Sequence, residues 1–324
     1  MIVTVTPNPS VDRTFEIEQL VRGHMVRALS HRLDPGGKGI NVARALHTNG
    51  HRVSAVMPVG GVEGDQLIHL LGGSGLAVVT VPIIGSVRSN VTIVEPDGTV
   101  TKLNEPGPTL SPDEIDALLR TGTAAAGGAR WLVASGSLPP DAPDDLLAQL
   151  VRGGRQVGAA VAVDTSGVAL AAAVRAAPDL VKPNADELSQ LTACPLVTLG
   201  DAVDAARDVL ALGARAVLAS LGPDGAVLVT PELAAHAELA VDTPNSSVGA
   251  GDATLAGYIS ATAGDPIGAL RAAVAWGAAA VRLPGSQMPG PDDLHLEAVH
   301  VHNPPERDRP LSAPAVPLDG VVAP

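Results

Sequence analysis

A carboxylate stands directly behind a small-residue turn in "SSVGAGDATLAGY", residues 246–258, where helical spacing is about to begin. Gly249, Ala250 and Gly251 let the backbone approach a ligand closely and aim several N–H groups at it. That is a cradle for an anion. Asp252 beside it can take a proton from an attacking hydroxyl while the N–H groups stabilise a transferring phosphoryl group. A helix terminus favours the charged carboxylate, so Asp252 is expected to have a lowered pKa and to be a weak base. Weak basicity suffices for phosphoryl transfer, where positioning and charge stabilisation dominate. The plainer alternative is an aspartate that only caps a helix.

A second glycine-rich turn opens a helix in "DPGGKGINVARAL", residues 34–46. Gly36, Gly37 and Gly39 free the backbone, and Lys38 and Asn41 can hydrogen-bond a hydroxylated ligand. A simple capping turn would account for the same residues. In "TPNPSVD", residues 6–12, Asp12 falls beyond the first strand, where open α/β sheets bind ligands. Its alternative is a turn aspartate behind two prolines. Other glycine loops fail. Lys38 is not a Walker lysine, because Arg32 stands five residues before Gly37. The turn at Gly249 is followed by Thr254 where a dinucleotide fingerprint needs glycine, and no H-R-D or D-F-G set exists.

These residues need a frame. Short β-branched runs, "MIVTVT", "RVSAVMPV", "WLVAS", "AAVAVD", "DLVKPN" and "AVLASLG", alternate with helical stretches near 39–49, 113–126, 144–153, 167–176, 185–192 and 201–212. That alternation predicts a doubly wound α/β fold with a mostly parallel sheet flanked by helices. Residues 11–35 and 81–103 break the pattern with half-polar alternation and an Asp97-Gly98 turn, predicting a small antiparallel lid. Apolar residues are 46% of the 324-residue chain and aromatics 1%, so the core must be built of Ala, Val and Leu. A formal net charge of −13 argues against a nucleic-acid surface or an anionic membrane. The single cysteine, Cys194, excludes an intrachain disulfide and fits a reducing cytoplasm. With no signal peptide or membrane span evident, a cytoplasmic protein is expected.

Nine segments in order, "TPNPSVDRT", "DPGGKGINVARAL", "VRSNVTI", "TKLNEPGP", "SGSLPP", "DTSG", "KPNADEL", "SLGPDGA" and "SSVGAGDATLAGY", resemble the PfkB-type (ribokinase-like) carbohydrate kinases over residues 1–290. Within that family the likeness is greatest to the bacterial 1-phosphofructokinases. The resemblance implies ATP-dependent phosphorylation of fructose 1-phosphate to fructose 1,6-bisphosphate on a ribokinase-like fold. It makes Asp252 the base and Gly249, Ala250 and Gly251 the anion hole. Asp12, Gly37, Lys38, Asn41, Arg88, Asn90, Ser135 and Ser137 would line the sugar pocket, with Lys38, Arg88 and Arg27 offsetting the substrate phosphate. On the nucleotide side it implies Lys182, Asn184, Ser220, Gly222, Gly225 and Ser247, with Glu187 reaching Mg2+ through water. It also implies a homodimer formed through the lid. Two departures stand out. Ser247 replaces a threonine, and Asp141 follows "SGSLPP" where glycine is usual, a change that could reshape that loop.

Tagatose 6-phosphate and fructose 6-phosphate kinases share nearly all these motifs, so the acceptor stays open between them. A sensor of sugar phosphate and nucleotide on the same scaffold would need no base, and a dinucleotide oxidoreductase has only the α/β pattern behind it. The kinase domain is expected to span 1–302, and the Pro-rich residues 303–324 to be a disordered tail. "HLEAVHVH", residues 295–302, offers His295, His300 and His302 but lacks the H-E-x-x-H spacing, so no metal site is expected there.

Overall fold

A computed structural model of the chain describes residues 1–262 and 264–317. Strand β1 (Ile2–Val5) leads into a hairpin of β2 (Ser10–Glu16) and β3 (Ser30–Gly36), then α1 (Lys38–Thr48) and β4 (Val53–Val59). Next come α2 (Gly61–Gly72), β5 (Ala77–Pro82) and a second hairpin, β6 (Arg88–Val94) and β7 (Val100–Asn104). The middle of the chain alternates α3 (Pro112–Ala125), β8 (Trp131–Ser135), α4 (Leu146–Gln156), β9 (Ala160–Asp164), α5 (Gly167–Arg175), β10 (Leu180–Val181) and α6 (Ala185–Thr192). Then follow β11 (Leu196–Thr198), α7 (Leu199–Leu212), β12 (Val217–Ser220), β13 (Ala226–Val229) and β14 (Ala234–Glu238). Helices α8 (Ala250–Ala261) and α9 (Pro266–Arg282) precede the last strands, β15 (His300–His302) and β16 (Pro310–Ala315).

Ten strands form one sheet in the order β15-β14-β13-β12-β10-β9-β8-β1-β4-β5. It is parallel from β5 to β12 and antiparallel across β13, β14 and β15. Both faces are covered, which is why β8 reads as a continuous apolar run and is buried throughout. Alternate residues serve opposite cores: Val3, Val5 and Leu132 pack on one face, Ile2, Trp131 and Val133 on the other. With few aromatics, helices must come close. Gly257 of α8 lets α9 approach so tightly that a Cβ there would sit 2.6 Å from the Ala272 carbonyl.

The chain builds outward from β1 to β4 and β5 on one side, then resumes with β8 on the other. This reversal places the carboxyl ends of β1, β8, β9 and β10 around one crevice, the position at which open α/β sheets bind ligands. Over it stands the small sheet, in the order β3-β2-β6-β7. Each hairpin is antiparallel as expected, but β2 and β6 run parallel, with Ser10 opposite Arg88 and Glu16 opposite Val94. The long crossover through α1, β4, α2 and β5 permits this, since both strands leave the large sheet in the same direction.

The expectation of a disordered tail from 303 fails for the described part. Strand β16 pairs antiparallel with β11, and Leu311 and Ala315 are buried. The Asp224 carboxylate accepts both the backbone N–H and the hydroxyl of Ser312, at 2.7 and 2.8 Å. Prolines suit this two-stranded edge because they cost no donor that the pairing needs. Residues 318–324 lie outside the described residues. No helix among the described residues is long and apolar enough to cross a membrane.

Candidate active site

The crevice is organised by an ion pair network whose centre the motifs did not single out. Asp164, at the end of β9, is fully buried, and its Oδ1 lies 2.7 Å from Lys38 Nζ. Its Oδ2 lies 3.3 Å from Nζ of Lys182, which is only 3% exposed. Burial opposes ionisation of Asp164, but Lys182 and Lys38 outweigh it and hold the carboxyl below its ordinary range. Lys38 stands on the first turn of α1, and its Nζ is also 3.8 Å from Glu187 Oε1. Burial alone would lower the Lys38 pKa, yet Asp164 and Glu187 raise it overall, so it stays charged.

Asp252 faces this network from the third position of α8 and is 6% exposed. The Asn41 amide of α1 donates to its Oδ2 at 2.8 Å. Asn41 is itself held from behind, because Arg44 donates to its Oδ1 at 3.3 Å and to the carbonyls of Pro35 and Ser286. The expected lowering of the Asp252 pKa does not occur. Burial, and then the charge of Asp164, raise it to about 7, against the opposing pull of Lys38, Asn41 and Lys182. The helix terminus is overruled by desolvation.

Gly249 caps α8 with φ 78 and so has no side chain with which to close the helix start. The Ala250 N–H is used by the Ser247 carbonyl at 3.3 Å. Among the described residues the Gly251 and Asp252 N–H groups find no acceptor. A Cβ on Gly251 would lie 3.3 Å from Lys182 Nζ, so the ammonium and these amides share one spot. An uncapped helix start beside a buried cation has the chemistry to hold an anion.

Behind this spot lies a cavity of about 660 Å³ whose walls include Asn184, Ser220, Gly222, Gly225, Ser247 and Gly251. Its lining is mostly small or apolar, including Leu239, Val241, Val274 and Ala278. Gly225 takes φ 78 and presses against the Ala237 carbonyl, leaving no room for a side chain. Asn184 and Glu187 form a reciprocal capping box on α6, with Glu187 Oε2 accepting the Asn184 N–H at 2.9 Å. Only Oε1 of Glu187 is left facing the crevice side, toward Lys38.

The lid side carries a polar cluster. Ser10 Oγ and Asn90 Nδ2 both donate to Asp12 Oδ1, at 2.7 and 2.9 Å. Arg88 donates to the Asn8 carbonyl at 3.1 Å and to Ser137 Oγ at 3.4 Å, while Asn8 Nδ2 ties Pro106 and Leu138 to the same corner. Arg88 Nε, Asn90 Oδ1, Ser135 Oγ and Asn8 Oδ1 are buried without a partner among the described residues. Gly37, with φ 117, brings this corner close to Thr6. Asp141 takes φ 61, a left-handed conformation that glycine adopts more readily, and accepts from Thr109 at 3.2 Å.

Of the sequence candidates, only Arg27 is not brought to the crevice. It is exposed beyond the Glu16–Ser30 pair, at the end of the β2–β3 hairpin opposite Asp12 and Asp34. Asp164, Asn8 and Arg44 are the residues that the motif reading missed. Asp164 had two visible signals, since it closes a buried strand and opens the quoted segment "DTSG", and Asn8 and Arg44 also lie within quoted segments.

The model of the "pfkB family carbohydrate kinase" matches residues 6–293. The chain belongs to that family. The 1-phosphofructokinase of Rhodobacter capsulatus is 39% identical over 300 residues, 90% of this chain and 94% of the relative. The ATP-dependent 6-phosphofructokinase isozyme 2 of Escherichia coli (strain K12) is 37% identical over 254 residues, 78% of this chain and 82% of the relative. The solved tetrameric inhibited form of phosphofructokinase-2 from Escherichia coli superposes with a TM-score of 0.83 at 35% identity, covering 90% of this chain and 96% of that one. Membership makes the chain an enzyme, a carbohydrate kinase. In family terms the ten-stranded sheet and its flanking helices are the ribokinase-like body, and the four-stranded sheet is its lid.

Proposed function

We propose that this enzyme, as an ATP-dependent sugar-phosphate kinase, phosphorylates fructose 1-phosphate to fructose 1,6-bisphosphate. The observation that carries the reading is Asp252, buried, poised near neutral pH and set beside the uncapped start of α8 between the lid cluster and the cavity. A carboxylate with a pKa of about 7 is half ionised at neutral pH and is a better base than the sequence implied.

In this reading Asn41 holds Asp252 Oδ2 so that the other oxygen meets the acceptor hydroxyl and takes its proton. The unpartnered Asn90, Ser135 and Arg88 atoms bind sugar hydroxyls and phosphate, with Asp12 orienting Asn90. The free N–H groups of Gly251 and Asp252, with Lys182, stabilise the transferring phosphoryl group. Asp164 keeps both lysines charged and in place. The nucleotide occupies the cavity walled by Ser220, Gly222 and Gly225, its apolar lining suiting an adenine ring. Mg2+ fits the donor set in one way: a single free carboxylate oxygen, on Glu187, suits an ion that keeps most of its water and phosphate ligands. When bound, the ion neutralises phosphate charge.

The lid exposes Leu20, Met25, Leu29 and Leu103, apolar surface that a second copy would cover in a homodimer. The Escherichia coli relatives favour one competing acceptor, fructose 6-phosphate. Turnover with ATP and Mg2+ on fructose 1-phosphate, fructose 6-phosphate and tagatose 6-phosphate tests the choice. Fructose 1-phosphate is expected to give the highest kcat/KM, and a clear preference for either 6-phosphate rejects the assignment.

A further inference from the structure

On the antiparallel edge of the large sheet, His236 of β14 lies directly opposite His302 of β15. Glu238 stands two residues beyond His236 on the same strand, and donor atoms of the three side chains all lie within 4.8 Å of one another. We propose that His236, Glu238 and His302 form a site for a divalent transition metal, zinc in particular.

His236 is fully buried, and its Nε2–H donates to the Asp224 carbonyl at 2.7 Å. That bond fixes the tautomer, so Nδ1 carries the lone pair, and Nδ1 is buried without a partner among the described residues. His302 offers Nε2, 3.3 Å from Glu238 Oε1, while its Nδ1 lies 3.6 Å from the Glu306 carboxylate. A histidine ligand whose other nitrogen donates to a carbonyl or carboxylate is the usual arrangement around zinc; His236 has it, and the Glu306 carboxylate stands 3.6 Å from His302 Nδ1, one small rotation from completing it for the second histidine. Glu238 divides its two oxygens in the same sense. Oε2 is tied to Arg309 at 2.7 Å, and Oε1 faces His302.

Two imidazoles and one carboxylate are a borderline donor set that suits zinc better than Mg2+ or Ca2+ and leaves a fourth position for water. Small rotations of the part-exposed Glu238 and His302 would draw the set onto one ion. Neither His295 nor His300 belongs to the set, so the histidines that draw attention in the sequence are mostly the wrong ones. The site adjoins the cavity wall through one turn. Asp224, which holds His236, ends the turn at Gly222–Asp224, and Gly222 and Pro223 line the nucleotide wall.

The full chain, stripped with chelator, is titrated with Zn2+ by calorimetry and with Co2+ in visible absorption. One Zn2+ per chain is expected, with intense Co2+ bands of four-coordinate geometry and a thermal midpoint that rises with zinc. Glu306→Gln should weaken binding by about 10–100-fold, as loss of an outer-shell partner does. His302→Ala and Glu238→Gln should each weaken it further, and His300→Ala should leave it unchanged. No uptake by the folded wild type overturns the proposal, as does equal affinity in His302→Ala and Glu238→Gln. Those two ligands are part-exposed, so their variants should fold even if His236→Ala does not.

Discussion

Helices α7 and α8 both carry an aspartate at their third residue, yet the two carboxylates live differently. At α7 the preceding Thr198 accepts the Asp201 N–H, and Asp201 accepts the Thr198 N–H at 2.8 Å. Helices α3 and α6 repeat the arrangement with Ser111 and Glu114, and with Asn184 and Glu187. At α8 the cap is Gly249, which has no side chain and sits at φ 78, so no such box can close. Asp252 turns instead to Asn41, and amides that a cap would satisfy stay open. The pKa values divide accordingly. Burial opposes ionisation of Asp201, but the backbone N–H groups of Val197 and Thr198 together outweigh it and hold the carboxyl below its ordinary range, whereas burial and Asp164 lift Asp252 to about 7. A closed capping box ties Asp201 into its helix start, whereas the open cap of α8 leaves Asp252 to be governed by burial and by Asp164.

Asp252→Asn should break the comparison most visibly. With the base removed, kcat falls by roughly 10²–10⁴-fold in a coupled assay, while nucleotide binding by calorimetry persists. In the wild type kcat/KM should rise with pH through about 7 as Asp252 loses its proton, and the variant should lack that limb. Stability should move the other way. A carboxyl raised from 3.8 to about 7 keeps its proton in the folded state after the unfolded chain has released it. Wild-type stability therefore declines as pH rises from about 4 through 7. The stability of Asp252→Asn relative to wild type should accordingly increase across that window in urea titrations. A flat difference would remove the buried charge from the explanation.

Asp164→Asn sharpens the contrast from the other side. It leaves Lys182 buried without its counter-charge, and breaking a buried pair costs about 3–5 kcal/mol in chemical denaturation. It also removes one of the two causes that raise the Asp252 pKa, so the acidic limb of kcat/KM should shift to lower pH. An unshifted limb would mean that burial alone sets the base.

Much of this was legible from residue type and spacing. The buried runs gave most of the parallel sheet, and "GAGD" with "GGKGIN" placed Asp252 beside Lys38 and Asn41 once the fold closed. What escaped depended on distance in the chain. Asp164 reads as a strand ending, and only folding sets it between lysines from α1 and the end of β10. The base strength of Asp252 was misjudged because a helix dipole is a local effect, whereas burial is a property of the whole crevice. Arg27, expected to offset the substrate phosphate, lies in none of the quoted segments and rides on the far end of its hairpin. The tail misled because its proline content suggests disorder, while the buried Asp224 that anchors it belongs to a turn far upstream.

The smallest expected effect tests the structural half of the comparison. Thr198→Ala removes the hydroxyl that accepts the Asp201 N–H at 3.2 Å, and loss of a helix cap costs about 1 kcal/mol. Because Asp201 has a depressed pKa, its contribution is present above 3.8 and is lost as pH falls through its folded value. The difference between variant and wild type should thus narrow in acid if the two halves of the box support each other. At neutral pH kcat should be unchanged, since this box caps α7 at the β11 end and makes no contact with the Lys38–Asp164–Lys182 network. A fall in kcat matching that of Asp252→Asn would mean that the cap alone does not separate a reactive helix start from a structural one.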